Sequence, residues 1–238
     1  FQFLYNALCS KYGAQFHQDA VKFIHALVLS EIFVVDLNQL PMHQFSIPSN
    51  SPNEGDNSLQ SNNDLQPLFQ AMGMMNFVCG ICCSGEKGSK VLEVIKNFPE
   101  YFQRLQIIHI TDCGETKGLS GLLEALGRKK PQPALFSKRK SKKILEEQPS
   151  RYYNFRGNHF DESDFHSFID LLAISKDRIV FLDVSNCGIN AENAKLFFVS
   201  LANNKNLHHI QQLHVAGMEM NNESFDSFDF YIKKISED

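Results

Sequence analysis

The chain has 238 residues, of which 43% are apolar, with 21 phenylalanines and no tryptophan. Its net charge of −4 conceals an acidic body and one basic segment, because residues 128–143 contain eight Lys or Arg and no acid. No apolar run approaches the roughly 20 residues of a transmembrane helix. The six cysteines show no spacing typical of a small disulfide-linked domain. These features predict a cytoplasmic chain with reduced thiols and exclude a transmembrane segment.

One helical pattern recurs along the chain. Apolar residues spaced i, i+3, i+4 and i+7, which mark one face of a helix, occur seven times. The seven patterns begin at Ala20, Leu65, Val91, Leu119, Phe165, Ala194 and Phe228. Asp161 and Asn190 precede two of these helices, and each is predicted to be an N-cap. The repetition predicts a stacked array of similar units.

Short strand patterns lie between the helices. The clearest is the spacing LxxLxLxx(N/C)xL at Ile179–Ile189, with Cys187 in the Asn/Cys position. Matching strands are predicted to start near residues 32, 75, 105, 150 and 210, with Ser150 replacing the first apolar residue, and an unregistered one within Phe1–Tyr12. The strand near Met75 fits poorly because Gly80 stands in an apolar position. We predict one domain over 1–238, with loop insertions at about 45–63 and 128–149.

The unit from Ile179 to Leu201 resembles leucine-rich repeats, with a length near 30 typical of the ribonuclease-inhibitor subtype. Cys113, Asn158 and Cys187 occupy the position that this subtype fills with Asn or Cys. Similar arrays occur in tropomodulin, in the capping-protein regulator CARMIL, in the Ran GTPase-activating protein and in nucleotide-binding immune receptors. The resemblance implies an α/β solenoid of about seven units, with a parallel sheet on the concave face and helices on the convex face. It also implies binding of another protein as a scaffold in cytoskeletal or signalling regulation.

Side chains that alternate with the buried strand residues are predicted to point to the concave face. The residues before and after each central buried position form two rows, the first largely apolar or aromatic. We expect a partner to dock on them, although packing between neighbouring strands is an equally good explanation. The predicted partner-binding residues are Val34, Asp36, Phe77, Ile107, His109, Tyr152, Asn154, Arg156, Phe181, Asp183, Gln212 and His214. Cys79 completes the second row.

The basic segment has several interpretations. It includes a short run of cations: Lys138, Arg139, Lys140, Lys142 and Lys143. Such a run is typical of nuclear-localisation signals and of sites for nucleic acid or anionic lipid, but a solvated loop explains it better.

The sequence offers little evidence for catalysis or metal binding. Cys79, Cys82 and Cys83 form a Cys-x-x-Cys-Cys cluster, but no second pair with zinc spacing follows, so no metal or other cofactor is expected. No glycine-rich phosphate loop, nucleophile elbow or zinc-protease motif is present. We therefore predict that the chain is not an enzyme. The alternatives are a GTPase-activating array, or an immune or effector array that binds nucleic acid or lipid through the basic loop.

Overall fold

The structure is a computed structural model that describes residues 1–30, 34–40, 65–74, 78–97, 105–115, 119–127, 150–176 and 178–237. Within these residues the chain forms eight α-helices, a six-stranded parallel sheet and a separate pair of short strands. The prediction of an α/β fold built on a parallel sheet is confirmed.

The helices follow the apolar patterns of the sequence. The predicted starting points Ala20 to Phe228 fall in the last seven of the eight described helices. In chain order the helices are α1 (Gln2–Tyr12), α2 (Gln18–Leu29), α3 (Leu65–Met74), α4 (Gly85–Asn97), α5 (Leu119–Gly127), α6 (Glu162–Ile174), α7 (Ala191–Asn203) and α8 (Asn222–Glu237). Both predicted N-caps are confirmed. The Asp161 side chain accepts the Asp164 N–H at 2.7 Å, and Asn190 accepts the Asn193 N–H at 2.9 Å.

The sheet strands pair in chain order. The strands are β1 (Val34–Asp36), β2 (Gly80–Ser84), β3 (Ile107–Thr111), β4 (Gly114–Glu115), β5 (Ser150–Asn154), β6 (Asn158–His159), β7 (Arg178–Asp183) and β8 (Gln212–His214). The large sheet has the order β1-β2-β3-β5-β7-β8, and β4 pairs with β6 alone. Parallel neighbours need a crossover connection, and the helices supply it.

One face of the sheet packs against the helices. Val35, Ile81, Ile108, Tyr153 and Leu182 lie at equivalent register positions on five successive strands, and all are buried. Consecutive helices from α4 to α8 contact one another behind this face. Phenylalanine fills much of the space between the layers, and the ring centroids of Phe168 and Phe197, in α6 and α7, lie 5.9 Å apart. The opposite face of the sheet is therefore the one left for other contacts.

Three strand predictions are wrong. The segment Phe1–Tyr12 contains helix α1 instead of a first strand, and Tyr5 and Leu8 pack into the core. In β2 the central buried position of the repeat pattern is filled by Ile81, three residues later than predicted, because Ile81 and Cys83 supply the buried side chains of this strand. In β5, Arg151 pairs with Ile179 and fills the first interior position, which the sequence assigned to Ser150.

Two buried side chains, Asn158 and Cys187, form hydrogen bonds with backbone groups in the turns after three strands. We call these two residues the polar ladder. Asn158 lies in the interior and its side-chain N–H groups donate to the carbonyls of Ile110 and Phe155, at 2.6 and 2.7 Å. Its side-chain oxygen accepts the Cys113 N–H at 3.1 Å. In the next unit, the Cys187 thiol donates to the Phe155 carbonyl at 3.1 Å. Buried backbone groups at strand ends are thus satisfied by side chains.

The structure tests the prediction of core thiols but not the predicted loop insertions. All six cysteines are free, and Cys9, Cys83, Cys113 and Cys187 are buried, which confirms the prediction of core thiols. The predicted insertion at 128–149 lies outside the described residues, as does the one at 45–63.

Candidate functional site

The strand register brings the two predicted rows together on the sheet face away from the helices. The first row contains Val34, Gly80, Ile107, Tyr152, Phe181 and Gln212. The second row contains Asp36, Cys82, His109, Asn154, Asp183 and His214. We call these two rows the exposed face.

The sequence prediction was wrong for one strand of the exposed face. Gly80 and Cys82 occupy the positions assigned to Phe77 and Cys79, and Phe77 lies outside the described residues. The alternation of Ile81 and Cys83 before a helix was the signal for the correct register. Arg156 lies beyond the end of β5, in an exposed turn, and so is not part of either row.

The residues of the two rows differ in the exposed fraction of their side chains. Tyr152 is 39% exposed, and Gln212 and His214 are also exposed. Asp183 is only 6% exposed, so it is buried rather than presented to a partner. The most accessible part of the exposed face therefore lies over β5 and β8, the strands on either side of β7.

Aromatic rings cross this part of the face. The ring centroid of Phe181 lies 5.4 Å from that of His214 and 6.4 Å from that of His109. His109 belongs to β3, two strands away from Phe181 on β7, so the ring contact crosses β5. We call His109, Phe181 and His214 the aromatic strip. Flat apolar rings with polar edges are well suited to contact a bound chain.

Three second-row side chains accept hydrogen bonds from the backbone of their own strand ends. Asp36, Asn154 and Asp183 each accept a hydrogen bond from the backbone N–H two residues later, at 2.9 to 3.1 Å. These bonds form Asx turns that end the strands. The second row thus contributes fewer free polar groups than the sequence suggested.

Gly80 is required by close packing within the face. A Cβ atom at this position would lie 2.7 Å from the Cβ of Ile107 and 2.9 Å from its carbonyl oxygen. The Ile107 side chain therefore occupies the space beside β2, and the first row is interrupted there.

Burial shifts the titration of two neighbours in the second row. Cys82 and His109 are half-buried and pair directly in the register of β2 and β3. Burial lowers the pKa of His109, which favours its neutral form. Burial, and then the Asp36 carboxylate, raise the pKa of the Cys82 thiol. At neutral pH the pair is a thiol beside a neutral imidazole.

The Cys-x-x-Cys-Cys cluster does not converge on one point. Cys82 lies on the exposed face, whereas Cys83 lies on the buried side beneath Gly88 with Cys113. Burial raises the pKa of the Cys113 thiol to about 11. In the part of the chain that the structure describes, no three His, Cys, Asp or Glu side chains gather in an arrangement that suits a metal ion.

The basic segment cannot be placed on this site. Lys138, Arg139, Lys140, Lys142 and Lys143 all lie outside the described residues.

Comparison with known proteins gives one finding about function. No curated protein matches the chain. Residues 136–236 match the model of the RiPP precursor modification enzyme family MbnB/TglH/ChrH, where RiPP denotes a ribosomally synthesised and post-translationally modified peptide. The chain is similar to this family. The match spans 101 of 238 residues, which is less than half of the chain.

This match corrects the functional predictions from the sequence. The matching family is not a leucine-rich repeat family, so that resemblance is wrong as an identification. Its members modify precursor peptides, which contradicts a protein-binding scaffold and the prediction that the chain is not an enzyme. The GTPase-activating, immune-effector and nucleic-acid or lipid-binding alternatives do not fit the match either. Apolar periodicity identified the elements but carried no information on their chemistry.

The matched segment contains the most accessible part of the exposed face. It includes β5, β7 and β8 with helices α6, α7 and α8. Tyr152, Phe181 and His214 therefore lie within it, whereas Cys82 and His109 lie before it. None of the helices in the described ranges is long and apolar enough to cross a membrane.

Proposed function

We propose that the chain is an enzyme that acts on a RiPP precursor peptide and holds that peptide on the exposed face of β5, β7 and β8. The observation that carries the proposal is the family match over 136–236, the segment that contains these strands. The earlier prediction of these residues as a binding surface is kept, with a peptide substrate as the occupant.

The geometry of the face suits an extended peptide. Tyr152 and Phe181 pair directly across β5 and β7, and Gln212 continues the row on β8. A peptide that crosses these strands would bury the half-exposed Phe181 ring and the Tyr152 ring, with His214 beside them. Aromatic side chains contribute strongly to binding because they bury large areas and lose little conformational freedom.

The same proposal includes the solenoid form, the single domain and the cytoplasmic location predicted from the sequence. Strand–helix units that pair in chain order would stack as a solenoid, with the exposed face on its concave side and one domain over residues 1–238. Six free thiols agree with a reducing compartment, so we place the protein in the cytoplasm.

Incubation with candidate substrates tests this function. The purified chain is incubated with a set of candidate RiPP precursor peptides, and binding is followed by fluorescence anisotropy and modification by mass spectrometry. We expect a peptide that binds and changes mass. Absence of both binding and mass change across these peptides contradicts the proposal.

A matched pair of variants tests the location. Phe181→Ala removes a ring from the exposed face, whereas Leu196→Ala removes an apolar side chain that is 45% exposed on helix α7. Peptide affinity is expected to fall for the first variant only. Equal affinities in the two variants would place the peptide elsewhere.

A further inference from the structure

The unit formed by β8 and α8, at one edge of the large sheet, has an incompletely covered core. Five apolar residues of its strand and turn are half-buried: Ile210, Leu213, Val215, Met218 and Met220. Each corresponds to a residue of the Ile179–Ile189 segment that occupies the same position in the repeat pattern and is buried. A stacked unit buries such a row against its neighbour, so this row is available to a further layer.

The helix layer of this unit is incompletely covered as well. Ile232 takes the position in α8 that Phe198 takes in α7, and Phe198 is buried beneath the Phe228 ring, whose centroid lies 5.0 Å from its own. Ile232 is 42% exposed, and Phe225, about two turns earlier on α8, is 56% exposed. We call these two residues, together with the five half-buried residues of the strand and turn, the open end.

Strand β8 offers backbone hydrogen-bonding groups at the open end. Among the described residues it pairs with β7 alone. The Val184 N–H donates to the His214 carbonyl at 3.0 Å, so the backbone groups of His214 face β7 and those of Leu213 face away from it. Edge strands are commonly protected by charged residues or Pro, and the segment Ile210–Ala216 contains neither.

The open end limits what can cover it. An extended peptide could add a strand beside β8, but it would leave Phe225 and Ile232 exposed. An occupant that covers both layers must place a strand beside β8 and a helix beside α8. A second copy of this chain presents that combination at its own open end.

We infer that two copies of the chain associate through their open ends about a twofold axis. The two β8 strands pair antiparallel with Leu213 at the centre, because a twofold axis places each residue opposite its own counterpart there. Each Leu213 N–H then donates to the Leu213 carbonyl of the other copy, and the two sheets become continuous. Behind the sheet, Phe225 and Ile232 pack against the α8 helix of the second copy.

The size of the open end suits a weak dimer. Helix α8 has 16 residues and is about 24 Å long, and a strand layer with its helix layer is about 20 Å deep. Each copy would thus bury on the order of 500 Å², and the total of about 1,000 Å² reaches the lower bound for a specific interface. We expect a dissociation constant in the micromolar range.

The dimer would join the exposed faces of the two copies. In the proposed register, Gln212 lies opposite His214 of the second copy, and both residues belong to the exposed face. The inference does not rest on the proposed function, since the contact requires no peptide. Loss of peptide binding with an intact dimer would contradict the proposed function alone.

Sedimentation velocity of the intact chain, without peptide, tests the inference from about 1 to about 200 μM. We expect a monomer that converts to a dimer as the concentration rises. Phe225→Asp places a charge in the open end and should raise the dissociation constant at least tenfold. Phe230→Asp is the matched control, because Phe230 is 42% exposed on the same helix but outside the apolar stripe, and it should leave the constant unchanged.

A second variant examines the strand contact. Leu213→Pro removes an N–H that faces away from β7, so it should weaken the dimer while the circular dichroism spectrum stays unaltered. A monomer at all concentrations would overturn the inference without any variant. Equal effects of Phe225→Asp and Phe230→Asp would also overturn it. Growth beyond a dimer would exclude the twofold contact, because a head-to-tail contact forms open chains.

Discussion

The side-chain amide of Asn158 donates a hydrogen bond of 2.6 Å to the carbonyl oxygen of Ile110, in strand β3. The same side chain also binds Phe155 and Cys113, so one buried amide satisfies three backbone groups. Cys187 lies at the corresponding turn of the next unit, and its one S–H group faces the carbonyls of Phe155 at 3.1 Å and Ser185 at 3.7 Å. Both residues therefore bind backbone groups at strand ends, but the Asn158 amide can form more hydrogen bonds than the Cys187 thiol.

Replacement of Asn158 by Ala should destabilise the fold strongly. The change leaves the Ile110 carbonyl and the Cys113 N–H without their side-chain partner in the interior, while the Phe155 carbonyl keeps the Cys187 thiol, and we expect a loss of about 3 kcal/mol in the free energy of unfolding. Urea denaturation measures it. Asn203→Ala, at the exposed end of α7, is the control and should change the value by less than about 0.5 kcal/mol. A similar small effect for Asn158→Ala would show that the ladder contributes little.

Cys187 should make stability fall at alkaline pH. Burial raises the pKa of its thiol from 9.0 to about 12. Above pH 9 the unfolded chain therefore releases this proton while the folded chain keeps it, so stability declines as pH rises from 9 towards 12. Urea unfolding at about pH 8 and about pH 10.5 measures the decline. Cys187→Ser retains a donor that does not titrate in this range, so its decline should be smaller, and equal declines would contradict the expectation.

Gly157 should tolerate a side chain poorly, for two separable reasons. Its φ is 71°, in the left-handed region, and an added Cβ would overlap the Asp112 carboxylate. Gly85 has a similar φ of 58° but open space around it. We expect Gly85→Ala to cost about 1 kcal/mol and Gly157→Ala clearly more.

A double variant separates the backbone and overlap contributions at Gly157. In an Asp112→Gly background the carboxylate overlap disappears and only a 3.3 Å approach to the Cα of residue 112 remains, so the cost of Gly157→Ala should fall towards that of Gly85→Ala. Thermal unfolding of the four proteins measures the coupling. Additive effects would mean that Asp112 moves aside without cost.

Tyr152 and Phe181 should act together on the proposed peptide. The two rings are direct cross-strand neighbours, so a peptide that covers one should contact the other. Each Ala variant is expected to weaken peptide binding about tenfold, and anisotropy titration measures the affinities. Because contacting residues couple, the double variant should lose less than the product of the single effects. Unchanged affinity in both single variants would contradict this role of the exposed face.

The sequence predicted helices α2 to α8 well because their cause is local. The spacing from Ala194 to Leu201 and the cap at Asn190 both depend on a few adjacent residues, and both fix the start of α7. Helix α1 was missed because Phe1 and Leu4 occur among other apolar residues in a segment too short for its period to stand out.

The interior position of Arg151 could not be read from the chain. A charged residue is rarely buried without partners, and its guanidinium donates to the Leu105 carbonyl, which is 46 residues away. The pairing of Cys82 with His109 is similar, because it depends on a register three residues from the predicted one. Contacts between distant segments decide such positions, and apolar periodicity does not report them.

The strands of the large sheet pair in the order in which they occur in the chain. Strands at the edges can therefore separate one at a time when the chain is stretched. Tension applied between Phe1 and the end of α8 would load the outermost pairs first, and the three pairs between β7 and β8 are among the fewest in the sheet. The β1–β2 pair at the other edge also has three pairs, so forced extension should remove strands singly from the two edges of the sheet, as a series of small length steps. The aromatic strip, which reaches from β3 to β8, would lose His214 in the step that separates β8 from β7.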